Sequence, residues 1–169
     1  MDNPDEQLPL VDEAGNLIGA ASRAECHCGS KLLHSVVHLH LFDNEGRLYL
    51  QKRPEWKDIQ PGKYDTAVGG HIDLGESVAE ALRREAYEEL GLKHFEPQHV
   101  CSYIFESDRE RELVNVFTAT ANEPPRPSAE LDGGCFMSPG EIEEALQRGE
   151  LTPNFAHEYR TILQPLQRQ

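Results

Sequence analysis

Glu85, Glu88 and Glu89 are the residues of this sequence whose type and spacing best suit chemistry. They stand at i, i+3 and i+4 within the stretch Glu76 to Leu90, where side chains of a helix are neighbours about 5–6 Å apart between Cβ atoms. Like charges so placed repel, and a helix has no local reason to gather them. A hard divalent cation, Mg²⁺ or Mn²⁺, supplies one, because it takes oxygen ligands and neutralises the cluster. The competing reading is a solvated acidic face, and for a glutamate triplet considered alone it is the better one. The helix itself is predicted independently of its charges. Val78, Leu82, Ala86 and Leu90 recur every fourth residue, and Gly91 follows as a left-handed stop. Arg84 is expected to bridge back to Glu80 and forward to Glu88.

The residues before the helix reverse that weighting. Gly69-Gly70-His71-Ile72-Asp73-Leu74-Gly75-Glu76 puts glycines where a strand must turn tightly into a helix, leaving backbone free to approach a ligand or a metal. Gly70, five residues, Glu76, seven residues and then Arg84-Glu85-Ala86-Tyr87-Glu88-Glu89-Leu90-Gly91-Leu92 resembles the Nudix box at every signature position. Ala86 is the soft match, since the family usually has a larger aliphatic there. The likeness extends more loosely from about Leu8 to the last predicted helix.

This resemblance implies an α/β fold, an α/β/α sandwich with a central mixed sheet. It also implies a hydrolase that cuts a pyrophosphate bond in a nucleoside diphosphate linked to another moiety X, or in a related organic diphosphate. Glu85, Glu88 and Glu89 would then bind Mg²⁺ or Mn²⁺, and Gly70 could add its carbonyl. Arg84 would orient the carboxylates, and Glu76 would support the loop and helix start. Glu88 or Glu89 is the first candidate for the general base, with Glu112 next, because family members differ over whether the base lies in the box. Many Nudix proteins dimerise, so a homodimer is an expectation carried by the resemblance alone.

A second constellation lies outside the box. His27 and His34 are seven residues apart, His71 abuts the glycine turn, and Glu110 and Glu112 alternate onto one strand face if that strand begins early enough. Singly, each histidine is more often a satisfied polar residue than a ligand. Together they look like type I isopentenyl diphosphate isomerase, a Nudix relative that binds a divalent metal with three histidines and two glutamates. The run Glu110-Arg-Glu112-Leu-Val-Asn-Val-Phe, together with Arg53, Lys57, Pro61-Gly62 and Thr152-Pro153, shares that layout. The likeness implies a second metal site at His27, His34, His71, Glu110 and Glu112, suited to Mn²⁺ or Zn²⁺ as well as Mg²⁺. Two departures matter more: Gly69 stands where the isomerase has its catalytic cysteine, and Asn154 stands where it has a tryptophan. The box carboxylates that the isomerase has mostly lost are retained here. Hydrolysis therefore ranks first, isomerisation second, and a nucleotide-sensing module without turnover third.

Composition bounds these readings. At 169 residues the chain suits one domain, 1–169, with a hairpin and short helix over 1–30 and helices over 138–169. A formal net charge of −14, from Lys+Arg 16 against Asp+Glu 30, opposes nucleic acid and anionic membranes, and a polyanionic substrate needs metals or local basic residues to enter; the small-molecule diphosphate partner is what the resemblance implies. Arg53 and Lys57 bracket the loop 54–62. They are either phosphate contacts or ordinary surface cations. No apolar run approaches the ~18 residues of a spanning helix, and the start, Met1-Asp2-Asn3-Pro4-Asp5-Glu6, is acidic where a signal peptide would be basic. A cytoplasmic location is the expectation. The cysteines at 26, 28, 101 and 135 are expected to be reduced, and Cys26-His27-Cys28 lacks the spacing of a structural zinc site.

The positioning elements follow from local signals. A small hairpin is predicted over 8–20, and Ser22 with Glu25 signs a short capped helix. An alternating strand over 34–42 has His34, Val36, His38, His40 and Phe42 on one face, with both His38 and His40 expected to be hydrogen-bonded and partly buried. A strand follows at 47–53, the stretch 64–72 leads into the central helix, and further strands are expected at 98–105, 112–120 and 134–137. Ser138-Pro139 and Thr152-Pro153 start the last two helices.

Overall fold

A computed structural model describes residues 3–57 and 59–168. Met1, Asp2, Asp58 and Gln169 lie outside the described residues, and with them the first two residues of the acidic start and one position of the 54–62 loop.

The strand predicted at 34–42 is the hub of a mixed sheet. In chain order the strands are β1 (Gln7–Val11), β2 (Leu17–Ser22), β3 (Leu33–Phe42), β4 (Leu48–Lys52), β5 (Tyr64–Thr66), β6 (Val68–His71), β7 (Gln98–Glu106), β8 (Arg111–Thr120) and β9 (Gly134–Met137). β3 pairs antiparallel with β1, β4 and β6 and parallel with β8 along its whole length, from Leu33 opposite Arg111 to Phe42 opposite Thr120. β8 continues to β7, while β4 carries β5 and β9. The stretch 64–72 that leads into the helix contains two strands. β5 pairs with β4, and beyond Ala67 the chain crosses to β3 as β6.

Helices α1 (Arg23–Cys26), α2 (Val78–Leu90), α3 (Pro139–Gln147), α4 (Pro153–Glu158) and α5 (Gln164–Gln167) complete the fold, with a π-helical turn (Tyr159–Leu163) between the last two. The alternation of β3 assigns them to layers. Val37, Leu39 and Leu41 are buried against Ala81, Leu82, Ala86 and Leu90 of α2. On the other side Leu48, Leu50 and Met137 pack with Ile142, Phe155, Tyr159 and Leu163. The result is the expected sandwich of a central mixed sheet between helical layers. Among the described residues no helix is long and apolar enough to cross a membrane.

α2 starts two residues later than the acidic run suggested. Ser77 is its cap, accepting from the Glu80 amide while the Glu80 carboxylate accepts from the Ser77 amide. Glu80 is thereby committed to the helix start, so the expected Arg84–Glu80 bridge does not form. Gly91 ends the helix at φ 65°, as predicted.

Candidate active site and metal centre

The glycine turn and one face of α2 help form a cleft of about 790 Å³, lined by Gly69, Gly70, His71, Arg84, Glu85, Glu88 and Glu89 and also by Arg53 and Lys57. β6 and α2 bring these groups together because only Ile72 to Ser77 separates strand from helix, and Glu76 stabilises that turn by accepting from the Asp73 amide at 3.0 Å. Gly70 has a steric requirement. A Cβ there would overlap the Glu85 carboxylate, so the backbone lies directly against a proposed ligand. Gly70→Ala is expected to displace Glu85 and lower turnover by about 10²-fold, the scale of an ångström-sized misplacement. Circular dichroism would show the fold retained, whereas full activity in this variant would remove Glu85 from the site.

Arg84 organises the acids. Its guanidinium donates bidentately to Glu76 at 2.8 and 3.0 Å, to Glu85 at 2.8 Å, to Glu88 at 3.3 Å and to the His71 carbonyl at 3.0 Å. This is more than the predicted bridge to Glu88, and it ties the helix back to the end of β6. The three glutamates are not equivalent. The Glu88 side chain is 56% exposed at the rim. Glu85 is part-buried, and Glu89 accepts from the Gly69 amide at 3.0 Å.

Their electrostatics fit a cation. Burial raises the Glu85 pKa despite Arg84. Burial, and next the charge of Glu85, pushes Glu89 up to about 8 against its bonds from Gly69 and Gln51. Two withdrawn carboxylates that each hold protons too tightly are what a divalent ion would relieve.

The second constellation also assembles. The rings of His27, His34 and His71 lie 5.1–5.4 Å apart between centroids. Among the described residues, the ligand atoms of His27, His34 and His71 all lie within 4.8 Å of one another, as do those of His34, Glu110 and Glu112. The helix carboxylates do not form so tight a group. His34 Nδ1 donates to the Leu32 carbonyl at 3.1 Å, which turns the Nε2 lone pair inward, the orientation a ligand needs. The Nε2 atoms of His27 and His34 are buried without hydrogen-bond partners, although Glu110 Oε2 is 3.1 Å from the first. Burial lowers the pKa of all three histidines, that of His71 to about 3. Neutral imidazoles with free lone pairs beside two carboxylates match the donor set of a transition-metal site. Glu112, pushed up to about 7 by burial and then by Glu110, belongs to this cluster and does not line the cleft.

A third group was invisible as a unit in the sequence. Glu158, fully buried on α4, accepts from His38 Nδ1, from His40 Nε2 at 2.8 Å and from the Tyr103 hydroxyl at 2.7 Å. The predicted hydrogen-bonded burial of His38 and His40 is met by one carboxylate 118 residues or more away in sequence. The i, i+2 histidine pair was the only local signal. Burial lowers the His38 pKa, but the charge and hydrogen bond of Glu158 outweigh it and raise it to about 9.

Comparison with known proteins agrees with this geometry. Residues 31–158 match the NUDIX domain family. An uncharacterised Nudix hydrolase of Yersinia pestis is 33% identical over 150 residues, covering 88% of this chain and 81% of that protein. An isopentenyl-diphosphate Δ-isomerase of Leifsonia xyli is 36% identical over 141 residues, covering 77% and 75% respectively. The crystal structure of DR0079 from Deinococcus radiodurans superposes with a TM-score of 0.77 at 25% identity, covering 92% of this chain and 98% of that one. The chain belongs to the Nudix family, as a relative of its hydrolases with isopentenyl-diphosphate isomerases also among its homologues. Nudix hydrolases generally use divalent metal ions, and the two ligand groups described above are candidates to hold one.

Proposed function

We propose that this protein is a metal-dependent pyrophosphohydrolase acting on a nucleoside diphosphate linked to X, or on a related organic diphosphate. The observation that carries the reading is the meeting of Glu85 and Glu89 with the glycine turn in a cleft that Arg53 and Lys57 also line. Mg²⁺ or Mn²⁺ held by Glu85, Glu88 and Glu89, with the Gly70 carbonyl beside them, would offset phosphate charge and acidify the attacking water. Glu89, facing the cleft from a withdrawn position, takes the proton of that water, and Glu88 is the alternative base. Glu112 is the least suited of the three, since it faces His34 at 3.8 Å and not the cleft. Arg84 holds Glu85 and Glu88 in orientation, while Arg53 and Lys57 bind the phosphates. The His27, His34, His71, Glu110 and Glu112 cluster would hold a second ion. The reading carries with it a single domain, a cytoplasmic setting, a small-molecule partner and, from the habit of the family, a homodimer. The net charge of −14 argues against nucleic-acid or membrane partners.

A screen of nucleoside diphosphates, triphosphates, sugar nucleotides, dinucleotides and prenyl diphosphates tests it, with a phosphatase and malachite green revealing cleaved products. Phosphate release is expected with Mg²⁺ or Mn²⁺, to vanish with EDTA and to return when the ion is restored. No release from any of these compounds under either ion would sink the proposal.

Isomerisation of isopentenyl diphosphate is a second reading, favoured by the assembled histidine–glutamate cluster. Gly69 has no side chain from which to deliver a proton, so recovery of that diphosphate without its allylic isomer is expected. Appearance of the allylic isomer would reverse the ranking.

A further inference from the structure

A smaller recess of about 120 Å³ shares Gln51, Arg53, Gly69 and Glu89 with the cleft and is lined in addition by His38, Asp65, Thr66 and Asn154. Gly69 and His38 are opposite one another in the antiparallel β3–β6 register. The nearest atoms to a Cβ placed at Gly69 would be His38 Cδ2 at 3.5 Å and Nε2 at 3.8 Å. The Nε2 edge of the ring is therefore turned towards the glycine turn, and the lack of a side chain there leaves it open. Its opposite edge is fixed, because Nδ1 donates to Glu158. Holding one ring with a fully buried carboxylate, itself supplied by His40 and Tyr103, is hard to explain as stabilisation. Apolar residues of similar volume often do as well in such places or better.

A second observation is independent of His38. Thr66 is 4% exposed and its hydroxyl has no hydrogen-bond partner, an uncommon state for a buried polar atom, and it lines this same recess. The two acids nearby are already engaged. Asp65 accepts from the Thr152 hydroxyl at 2.8 Å and stands 3.6 Å from Arg53, and Glu89 accepts from the Gly69 amide.

We propose that this recess receives one phosphoryl group of the substrate, with His38 Nε2 and the Thr66 hydroxyl donating to its oxygens and Glu158 as the positioning residue that holds His38. The assignment rests on the diphosphate-hydrolase reading, and it gives the inner end of the cleft the donors that the acidic outer wall lacks.

Imidazole ¹⁵N resonances of the full chain with Mg²⁺ test it, His38 being assigned by its loss in His38→Gln and the ligand probe being non-hydrolysable methylenediphosphonate. The His38 Nε2 resonance is expected to move on titration while that of exposed His99 stays. Thr66→Val and His38→Gln are each expected to weaken methylenediphosphonate binding by about tenfold or more, the scale of a hydrogen bond to a charged group. In Glu158→Ala the His38 ring would lose its fixed Nδ1–H form and its response, whereas Glu158→Gln, whose amide oxygen can still accept from Nδ1, should retain both, a contrast that a purely structural glutamate would not produce. The proposal is overturned if His38 stays silent while calorimetry shows the probe bound, if Thr66→Val binds like wild type, or if wild type does not bind the probe. A His38 response in a protein that hydrolyses no diphosphate would instead sustain the subsite and remove the hydrolase reading.

Discussion

Replacing Glu89 with glutamine is expected to lower turnover by about 10²–10⁴-fold, the scale of a lost general base, while the protein stays folded. Glutamine keeps the shape and can still accept from the Gly69 amide, so the turn between β6 and α2 keeps its contact. It removes a carboxylate whose ionisation is opposed by burial and by Glu85, so the melting temperature should hold or rise slightly. Steady-state phosphate release and a thermal melt on the same sample separate the two effects. Glu88→Gln should cost less, because that side chain is 56% exposed and solvent can substitute for part of what it does. A larger loss in Glu88→Gln than in Glu89→Gln would exchange their roles. Near-wild-type turnover in both would end the assignment of the helix face as the reacting centre.

Glu158→Ala should produce the largest loss of stability of any single change at the site. It strands two imidazoles and the Tyr103 hydroxyl around a void, and breaking a buried pair from one side typically costs about 3–5 kcal/mol. In a chain of this size that corresponds to a fall of roughly 6–20 °C in melting temperature. The pH dependence carries a signature of the pair. His38 is raised from 6.5 to about 9, so its contribution is complete below pH 6.5 and is lost as pH climbs through 9. Glu158 is lowered from 4.5, so its contribution is present above that value and fades as pH falls further. Glu89 keeps its own alkaline cost in both proteins, while Glu112, which feels the charges of both His38 and Glu158, does not. The difference between wild-type and Glu158→Ala urea curves therefore reports the pair together with its coupling to Glu112, and it should shrink between pH 6.5 and pH 9. A difference constant across that interval would mean that the imidazole and carboxylate are not paired as ions.

Much of this site was legible because its signals are local. Ser22 and Ser138 form the reciprocal caps that their glutamates three residues on announce, and the glycines around the box lie where the backbone needs them. The histidine–glutamate cluster was legible only through resemblance, since no spacing rule joins residues 27 and 112. That the stretch from Tyr64 to Ile72 divides between two partners was not legible, because which partner a strand takes is decided by the sheet. One misreading was local. Arg84 and Glu80 have a helical pairing distance, but Glu80 had a better use at the Ser77 amide and Arg84 at Glu76. The Glu158 network shows the limit most plainly, for a glutamate in a helix gives no local sign that it will be sealed from water beneath two histidines.

The long parallel match of β3 with β8 has a bearing on how the molecule acquires its parts. The carboxylate turn joins neighbours in the chain, from Gly69 to Glu89, and closing so short a span costs little entropy. The inner recess requires β3 to meet a helix 118 or more residues downstream, and high contact order of that kind slows folding. A refolding chain should therefore acquire the means to grip an ion before it acquires the floor against which a phosphate would rest, so early intermediates would bind metal without being able to turn over substrate.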